Sequence, residues 1–376
     1  MNVKTRYAYV DWVIPQTDVQ VRMGLQPFAL PGFVANSPIL GTPADGAGIT
    51  VSAQFTENVG ASLFWMRATN QEDKTNNYEH DIVDIVGLTV PVTFDGVKVT
   101  PWAMGAFVGK DSLDTTNGDQ NRIASGLLPA WSVAGNVAPL TGSDDDNGNV
   151  WWVGFTGELT MFDPIRFAWD AGYGSADMGS VGGYDPERSG WYVAALAQYK
   201  MDFVTPGLMV FYASGDDDNP FDGSEQIPTI DASWNAGSFG WDGSVYGAST
   251  ICALGDTIAG LWGVQLRFDD ISYMEDLKHK LRFAYYTGTN DSELVKKYGA
   301  TVGLNAAPGK TGQGLYLTDK DHAFEVNFDT DYNIYDNLIL TVELGYINLD
   351  IDSDVWNKSS LEENGYKAAA ILTYNF

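Results

Sequence analysis

The stretch that decides the fold is IRFAWDAGY, residues 165–173, in which side chains of opposite character alternate. Because successive side chains of a β-strand point to opposite faces, this alternation predicts a strand with one apolar and one polar face. Aromatic residues near the ends of the apolar row are typical of strand positions that meet lipid headgroups. The apolar row is Ile165, Phe167, Trp169, Ala171 and Tyr173, and the other row is Arg166, Ala168, Asp170 and Gly172.

The same pattern recurs along the whole chain in segments of about ten residues. Residues 262–268 (WGVQLRF) and 338–346 (LILTVELGY) repeat it, and the last segment is YKAAAILTYNF at 366–376. The segments come in pairs joined by a tight turn, which makes about 15 predicted strands. Longer loops separate the pairs and cover residues 27–48, 69–80, 109–149, 175–188, 215–256, 289–320 and 350–363.

Short turns at one end and long loops at the other indicate a transmembrane antiparallel β-barrel, because a soluble all-β protein has no reason to segregate loop lengths. A strand inside a membrane must have all its backbone groups paired, so the sheet has to close. We therefore predict an all-β, 16-stranded barrel that forms a single domain over residues 1–376. The loops 215–256 and 289–320 are expected to be extracellular.

The number of predicted strands raises a question of parity. With an odd number, the first and last strands would run in the same direction, whereas neighbours in a fully antiparallel barrel must oppose each other. We predict that the chain begins at the second strand of a 16-stranded design. The alternatives are a further strand within 215–256 and a parallel closure.

Composition excludes several classes of function. The formal net charge of −28 argues against nucleic-acid binding, because phosphates would be repelled. Cys252 is the only cysteine, so the sequence offers neither an intrachain disulfide nor a multi-cysteine metal site. Phosphate-binding and nucleophile motifs are absent, and histidine is scarce, with His80, His279 and His322. We expect the protein not to be an enzyme.

At this point the chain resembles bacterial outer-membrane porins. The alternating terminal residues Leu372, Tyr374 and Phe376 resemble the membrane-insertion signature of that class, and VRMGLQPFALPG (21–32) and FYASGDDDNPFDG (211–223) resemble the homotrimeric porins of sulfate-reducing bacteria. The resemblance implies the outer membrane of a Gram-negative bacterium, a homotrimer and a third loop folded into the pore. It also implies contacts with membrane lipid, lipopolysaccharide and the barrel-insertion machinery.

A diffusion channel needs a constriction with an electric field across it. The constriction is predicted in the loop 109–149, whose alternative role is an extracellular flap or a trimer contact. Its acidic side would be Asp111, Asp114 and Asp119. The basic side would be the inward wall residues Arg22, Arg166, Arg267, Lys280 and Arg282. The alternative for these cations is simple pairing with lumen carboxylates such as Asp170, Glu325 or Glu343.

The expected function is passive diffusion of ions and small hydrophilic solutes, with a weak preference for cations because acidic mouths concentrate them. The alternative is a channel selective for sugars, organic acids or oxyanions, and inward Arg166, Arg267 and Arg282 favour the anionic solutes.

No cofactor is expected, although Asp216, Asp217 and Asp218 are candidate Ca²⁺ ligands. Their spacing does not fit an EF-hand, so a solvated turn is the simpler interpretation, and divalent bridging to lipopolysaccharide is a third. A secreted Ca²⁺-binding all-β surface protein is the alternative from another class.

Overall fold

The computed structural model of the chain describes residues 5–41, 44–70, 82–109, 112, 118–130, 147–179, 186–230, 234, 257–301, 304, 310–311, 314–357 and 362–375. Within these ranges, one antiparallel sheet contains nearly all of the strands. The described parts of the loops contain three short helices: α1 (Gly118–Leu127), α2 (Ser292–Tyr298) and α3 (Ser353–Trp356). No helix among the described residues is long and apolar enough to cross a membrane.

The strands follow the segments that the alternation predicts, with boundaries that differ by a few residues. They are β1 (Ala8–Val13), β2 (Val19–Phe28), β3 (Ala44–Gln54), β4 (Gly60–Asn70), β5 (Ile82–Thr89), β6 (Val92–Phe94), β7 (Val97–Gly109), β8 (Asn147–Phe162), β9 (Ile165–Asp177), β10 (Arg188–Tyr199), β11 (Thr205–Ala213), β12 (Leu261–Met274), β13 (Leu277–Gly288), β14 (Lys310–Thr311), β15 (Gly314–Leu315), β16 (His322–Tyr335), β17 (Leu338–Asp350) and β18 (Glu362–Tyr374). The two-residue strands β14 and β15 pair only with each other.

The main sheet contains 16 strands, but the chain crosses the sheet from end to end only 15 times. Both β5 and β6 pair with β7, so together they make one crossing that is interrupted before Pro91. Proline has no backbone N–H to donate, which explains the interruption. The 15 predicted segments are therefore confirmed as 15 crossings.

The order of the sheet follows the chain, and every neighbouring pair is antiparallel. With an odd number of crossings, β1 and β18 run in the same direction. These two strands are the edges of the described sheet, and no register joins them within the described residues. The sheet therefore has the predicted parity and is not closed by the strands that the structure describes.

The two faces of the sheet separate side chains as predicted. Phe167, Trp262 and Leu344 are 41%, 42% and 45% exposed on one face, whereas Asp170 and Gln265 on the other are buried. The polar face is the inside of the curled sheet, because side chains of β9 contact the loop that follows β2. The Arg166 guanidinium donates a 3.0 Å hydrogen bond to the Phe33 carbonyl oxygen, 133 residues earlier in the chain. Such a contact requires the sheet to curve around a shared interior, here called the lumen.

Candidate functional site

A row of hydrogen-bonded charges crosses the lumen wall from β7 to β13. On β8, the Glu158 carboxylate receives Lys98 Nζ at 2.9 Å and Arg166 Nε at 2.8 Å. Arg166 Nη1 also donates to Gln198 Oε1 on β10 at 2.8 Å. Each partner lies on a neighbouring strand, so the contacts follow the register of the sheet.

The row continues on β12 and β13, where two arginines converge on one carboxylate. Arg267 Nε lies 2.5 Å from Asp269 Oδ2, and Arg282 Nη2 lies 3.4 Å from Asp269 Oδ1. Gln198 links the two halves through a 3.4 Å hydrogen bond to Asp269. We call these seven residues the charge row: Lys98, Glu158, Arg166, Gln198, Arg267, Asp269 and Arg282. The charge row contains four cations and two carboxylates, and its formal surplus is two positive charges.

The predicted basic residues all lie on the lumen face, but they do not form a single group. Arg166, Arg267 and Arg282 belong to the charge row. Arg22 instead pairs with Asp11 at 2.7 Å, and Lys280 pairs with Asp331 at 3.2 Å.

The alternative interpretation was that the inward cations simply pair with lumen carboxylates. They do form such pairs, but with carboxylates other than the ones proposed. Glu158 and Asp269 receive the arginines, whereas the proposed partner Glu343 lies 3.0 Å from Lys367 and Glu325 accepts from Tyr286. Which carboxylate an arginine meets depends on strand register and diagonal neighbours, which alternation alone does not give.

The third proposed partner, Asp170, holds the loop that follows β2, here called the first loop (29–43). Its carboxylate accepts hydrogen bonds from the backbone amides of Phe33 at 2.8 Å, Val34 at 2.8 Å and Ala35 at 3.3 Å. Successive amides pointing at one carboxylate form an anion-binding concavity. Sequence reasoning missed this inward loop. The signal was present in its apolar residues, because Val34, Ile39 and Leu40 in a loop must pack against something, and all three are buried.

The described part of the third loop, which follows β7, also packs on other residues. It comprises Ser112, α1 and residues 128–130, and its buried side chains include Ile123, Leu127 and Leu128. Of the predicted acidic residues, Asp119 lies in the first turn of α1. Asp111 and Asp114 lie outside the described residues. The acidic side of the constriction therefore stays a prediction.

The three candidate Ca²⁺ ligands make separate contacts in the fifth loop, which follows β11. Asp216 is buried and accepts hydrogen bonds from Ser224 Oγ at 2.5 Å and Tyr316 Oη at 2.7 Å. Burial raises the pKa of the Asp216 carboxyl, although both hydroxyls oppose this shift. Asp218 pairs with Lys297 at 3.1 Å. A buried, hydroxyl-bound carboxylate and a lysine-bound one do not share a site.

Asp217 instead belongs to a different group of carboxylates. Its ligand atoms lie within 4.8 Å of those of Asp222 and Glu225. Burial, together with the negative charges of Asp216 and Asp217, raises the pKa of Glu225 to about 7. This carboxyl therefore titrates near neutral pH, far above its ordinary range.

The predicted insertion signature lies partly within the described residues. Leu372 and Tyr374 are 63% and 56% exposed on the outer face of β18. Phe376 lies outside the described residues, so its role stays a prediction.

Comparisons with known proteins give structural neighbours only. No family model matches the chain, and no curated protein matches it. A crystal structure of OccAB2 from Acinetobacter baumannii superimposes with a TM-score of 0.50 and 14% identity, covering 95% of this chain and 74% of that one. OccK2 (OpdF) from Pseudomonas aeruginosa, solved in complex with glucuronate, gives a TM-score of 0.49 and 11% identity, covering 96% and 79%.

At 14% identity, the likeness to OccAB2 shows the fold alone. The finer resemblance to porins of sulfate-reducing bacteria stays a prediction. The chain has an all-β, antiparallel 16-stranded sheet, a fold that it shares with OccAB2.

Proposed function

We propose that this protein is an outer-membrane channel through which ions and small hydrophilic solutes diffuse passively. The observation that carries the proposal is the separation of the two faces of the sheet. Large apolar side chains such as Phe155, Val210 and Leu266 are 44–49% exposed on the outside. Ionised side chains are paired on the inside. Contiguous apolar surface of this kind marks contact with a membrane, and a charged interior suits water.

Aromatic pairs near both ends of the sheet support a membrane setting. Near the long-loop end, Trp191 stacks on Tyr212 with ring centroids 4.9 Å apart. Near the short-turn end, Phe203 stacks on Tyr273 at 6.4 Å. Aromatic side chains prefer the level of the lipid headgroups, so these two aromatic pairs would mark the two membrane boundaries. In outer-membrane barrels long loops face outward, so the long-loop end would be extracellular.

The ion preference that we propose is weakly cationic, since the chain carries a net charge of −28. Single-channel recording in planar bilayers tests both parts of the proposal. A water-filled channel gives ohmic conductance, and the reversal potential in a salt gradient gives the sign of the preference. Absence of conductance by correctly folded protein would contradict the channel function.

A second candidate function is a channel selective for small organic acids. The charge row favours it, because its three arginines are the kind of donor that binds carboxylates. Recording in chloride with added gluconate distinguishes the two candidates. Saturable block by gluconate, without block by a neutral sugar of similar size, would replace the general channel with the selective one.

Assembly is part of the proposal and rests on the resemblance described above. We propose a homotrimer that is inserted by the barrel-insertion machinery and contacts lipid and lipopolysaccharide. Chemical cross-linking of the detergent-solubilised protein, followed by electrophoresis, tests the trimer. Bands no larger than a monomer would contradict it.

A further inference from the structure

Three inward loops meet at one short segment of the fifth loop, Gln226–Ile230. The Ile230 amide donates to the Ile39 carbonyl oxygen of the first loop at 3.0 Å. The Thr229 amide donates to the Gly126 carbonyl oxygen in α1 of the third loop at 2.8 Å. All five residues of the segment are buried. The segment therefore lies between the first and third loops and joins them.

The same segment is fastened to the inside of the sheet. The Trp152 indole on β8 donates to the Pro228 carbonyl oxygen at 2.8 Å. Trp152 is a lumen-facing residue, fully buried, whereas its neighbour Trp151 is 45% exposed on the outside. The three loops thus meet inside the curled sheet and not above its rim.

One side chain, Arg188 at the start of β10, binds two of these loops at once. Its Nη1 donates to the carbonyl oxygens of Ser125 and Leu128 in the third loop, both at 3.1 Å. Its Nη2 donates to Gln226 Oε1 at 3.2 Å and to the Ile227 carbonyl oxygen at 3.0 Å in the fifth loop. A planar guanidinium suits this task, because its donors point in fixed, divergent directions.

Because Arg188 is buried, its guanidinium needs these hydrogen-bond partners. Its side chain is only 2% exposed. Burying a charge costs desolvation free energy, and hydrogen bonds to the charge offset that cost. Because Arg188 would lose this offset without the loops, the loops and the guanidinium stabilise one another.

The backbone around Arg188 also fits the fifth loop closely. The Ser189 amide donates to the Ser224 carbonyl oxygen at 2.7 Å, and the Ser224 amide donates to the Glu187 carbonyl oxygen at 2.9 Å. A Cβ atom added at Gly190 would lie 2.2 Å from the Glu225 carbonyl oxygen, so only glycine permits this approach. The fifth loop is therefore held against β10 on both sides of Arg188.

We propose that Arg188 is the positioning residue of a composite constriction that the first, third and fifth loops build together. This proposal rests on the proposed channel function and extends it: the width of the pore depends on three joined loops, two of which share one buried guanidinium, and not on the third loop alone. Loss of the guanidinium would remove the four hydrogen bonds through which Arg188 ties the third loop and the 226–230 segment to β10, so that both would loosen and the pore would widen.

The test compares Arg188→Met and Arg188→Lys with the unaltered protein in planar bilayers. Methionine removes the fork at similar length, and lysine keeps the charge but offers only a point donor. We expect conductance to rise at least about twofold in Arg188→Met, because α1 with its side chains occupies a cylinder about 10 Å across. Larger uncharged sugars should then enter protein-containing liposomes, as swelling assays would report. Arg188→Lys should show a smaller change in the same direction.

Lys297→Gln is the matched control, because it removes an exposed cation that ties the fifth loop to α2 through Asp218. Its conductance should equal that of the unaltered protein. A change in gel mobility on heating, as in the unaltered protein, identifies the variants that fold. Unchanged conductance and size limit in whichever Arg188 variant folds would overturn the proposal. Absence of conductance in the unaltered protein would instead contradict the channel function itself.

Discussion

Asp170 on β9 accepts a 2.8 Å hydrogen bond from the backbone amide of Phe33, although 137 residues separate them in the chain. The contact spans the interior of the curled sheet and holds the first loop inward. Arg166 lies earlier on β9, on the same lumen face, and it also holds the loop by donating to the Phe33 carbonyl oxygen. One loop residue is thus held through both its backbone polar groups by one strand.

The first prediction concerns the substitution Asp170→Asn. The change replaces one carboxylate oxygen by an NH₂ group that cannot accept from the Val34 and Ala35 amides. Hydrogen bonds to a charged group contribute about 1.5–3 kcal/mol each, so we expect a loss of roughly 2–4 kcal/mol and a lower unfolding temperature. Circular dichroism of the detergent-solubilised protein measures it. Asp11→Asn is the control, since the exposed Asp11–Arg22 pair should contribute little to stability. Equal losses in both variants would contradict the anchoring role.

The second prediction tests the charge row through Arg282→Gln. This change removes one of the two arginines on Asp269 and leaves Arg267 in place. A unit charge about 4 Å away is worth about 1 kcal/mol in water, so anion permeability relative to cation permeability should fall by roughly twofold to fivefold. The reversal potential in a salt gradient measures this ratio. Lys278→Gln removes the same charge at the exposed, short-turn end of β13 and should change the ratio less. An unchanged ratio in Arg282→Gln would show that solutes do not sense the row.

The third prediction compares two lysines that face the lumen. Lys367 and Glu343 are 3.0 Å apart with side chains only 4% and 7% exposed. Replacing Lys367 by Met removes the cation that faces the buried Glu343 carboxylate. Breaking such a pair lowers the free energy of unfolding by about 3–5 kcal/mol. Lys280→Met breaks the pair with Asp331, whose side chains are 40% and 33% exposed, and should cost about 1 kcal/mol or less. Thermal unfolding of both variants measures the difference. A smaller loss for Lys367→Met than for Lys280→Met would contradict the burial of this pair.

The fourth prediction is a pH dependence that originates in Glu225. Its pKa is raised from 4.5 to about 7, first by burial and then by neighbouring carboxylates. Below pH 4.5 the carboxyl is protonated in both the folded and the unfolded chain. Between pH 4.5 and 7 the unfolded chain releases the proton and the folded chain retains it, so folded stability falls as pH rises, and the loss is complete above about 7.

Glu225→Gln should remove this part of the pH dependence. Unfolding temperatures recorded from pH 4 to 8 should fall more steeply with rising pH in the unaltered protein than in the variant. Parallel curves would show that Glu225 titrates in its ordinary range.

The strands could be predicted from sequence because alternation is a local property. Arg166 and Phe167 reveal their opposite faces through their immediate neighbours alone, and the structure places them accordingly. The break at Pro91 was not predicted, although a proline within a paired strand removes a donor. Local alternation was therefore enough to predict the number of crossings and the face on which each wall residue lies.

The partners of the inward loops could not be predicted, because the contacts join residues far apart in the chain. Arg188 meets Ser125 across 63 positions, and Asp170 meets Phe33 across 137. No periodic pattern encodes such pairings. The only sequence signal was apolar residues within loops, as at Ile39 and Leu40, and this signal indicates burial without naming a partner.

The claim on which the rest depends is that lipid surrounds the outer face and water fills the lumen. Single cysteines at the adjacent positions Arg166 and Phe167 test it most directly, in a Cys252→Ser background reconstituted into vesicles. The predicted result is that a small, water-soluble thiol reagent modifies Arg166→Cys and leaves Phe167→Cys unmodified, while a fluorophore at 167 is quenched by brominated lipid and one at 166 is not. The reverse pattern, with lipid quenching at 166 and water-soluble labelling at 167, would contradict the account.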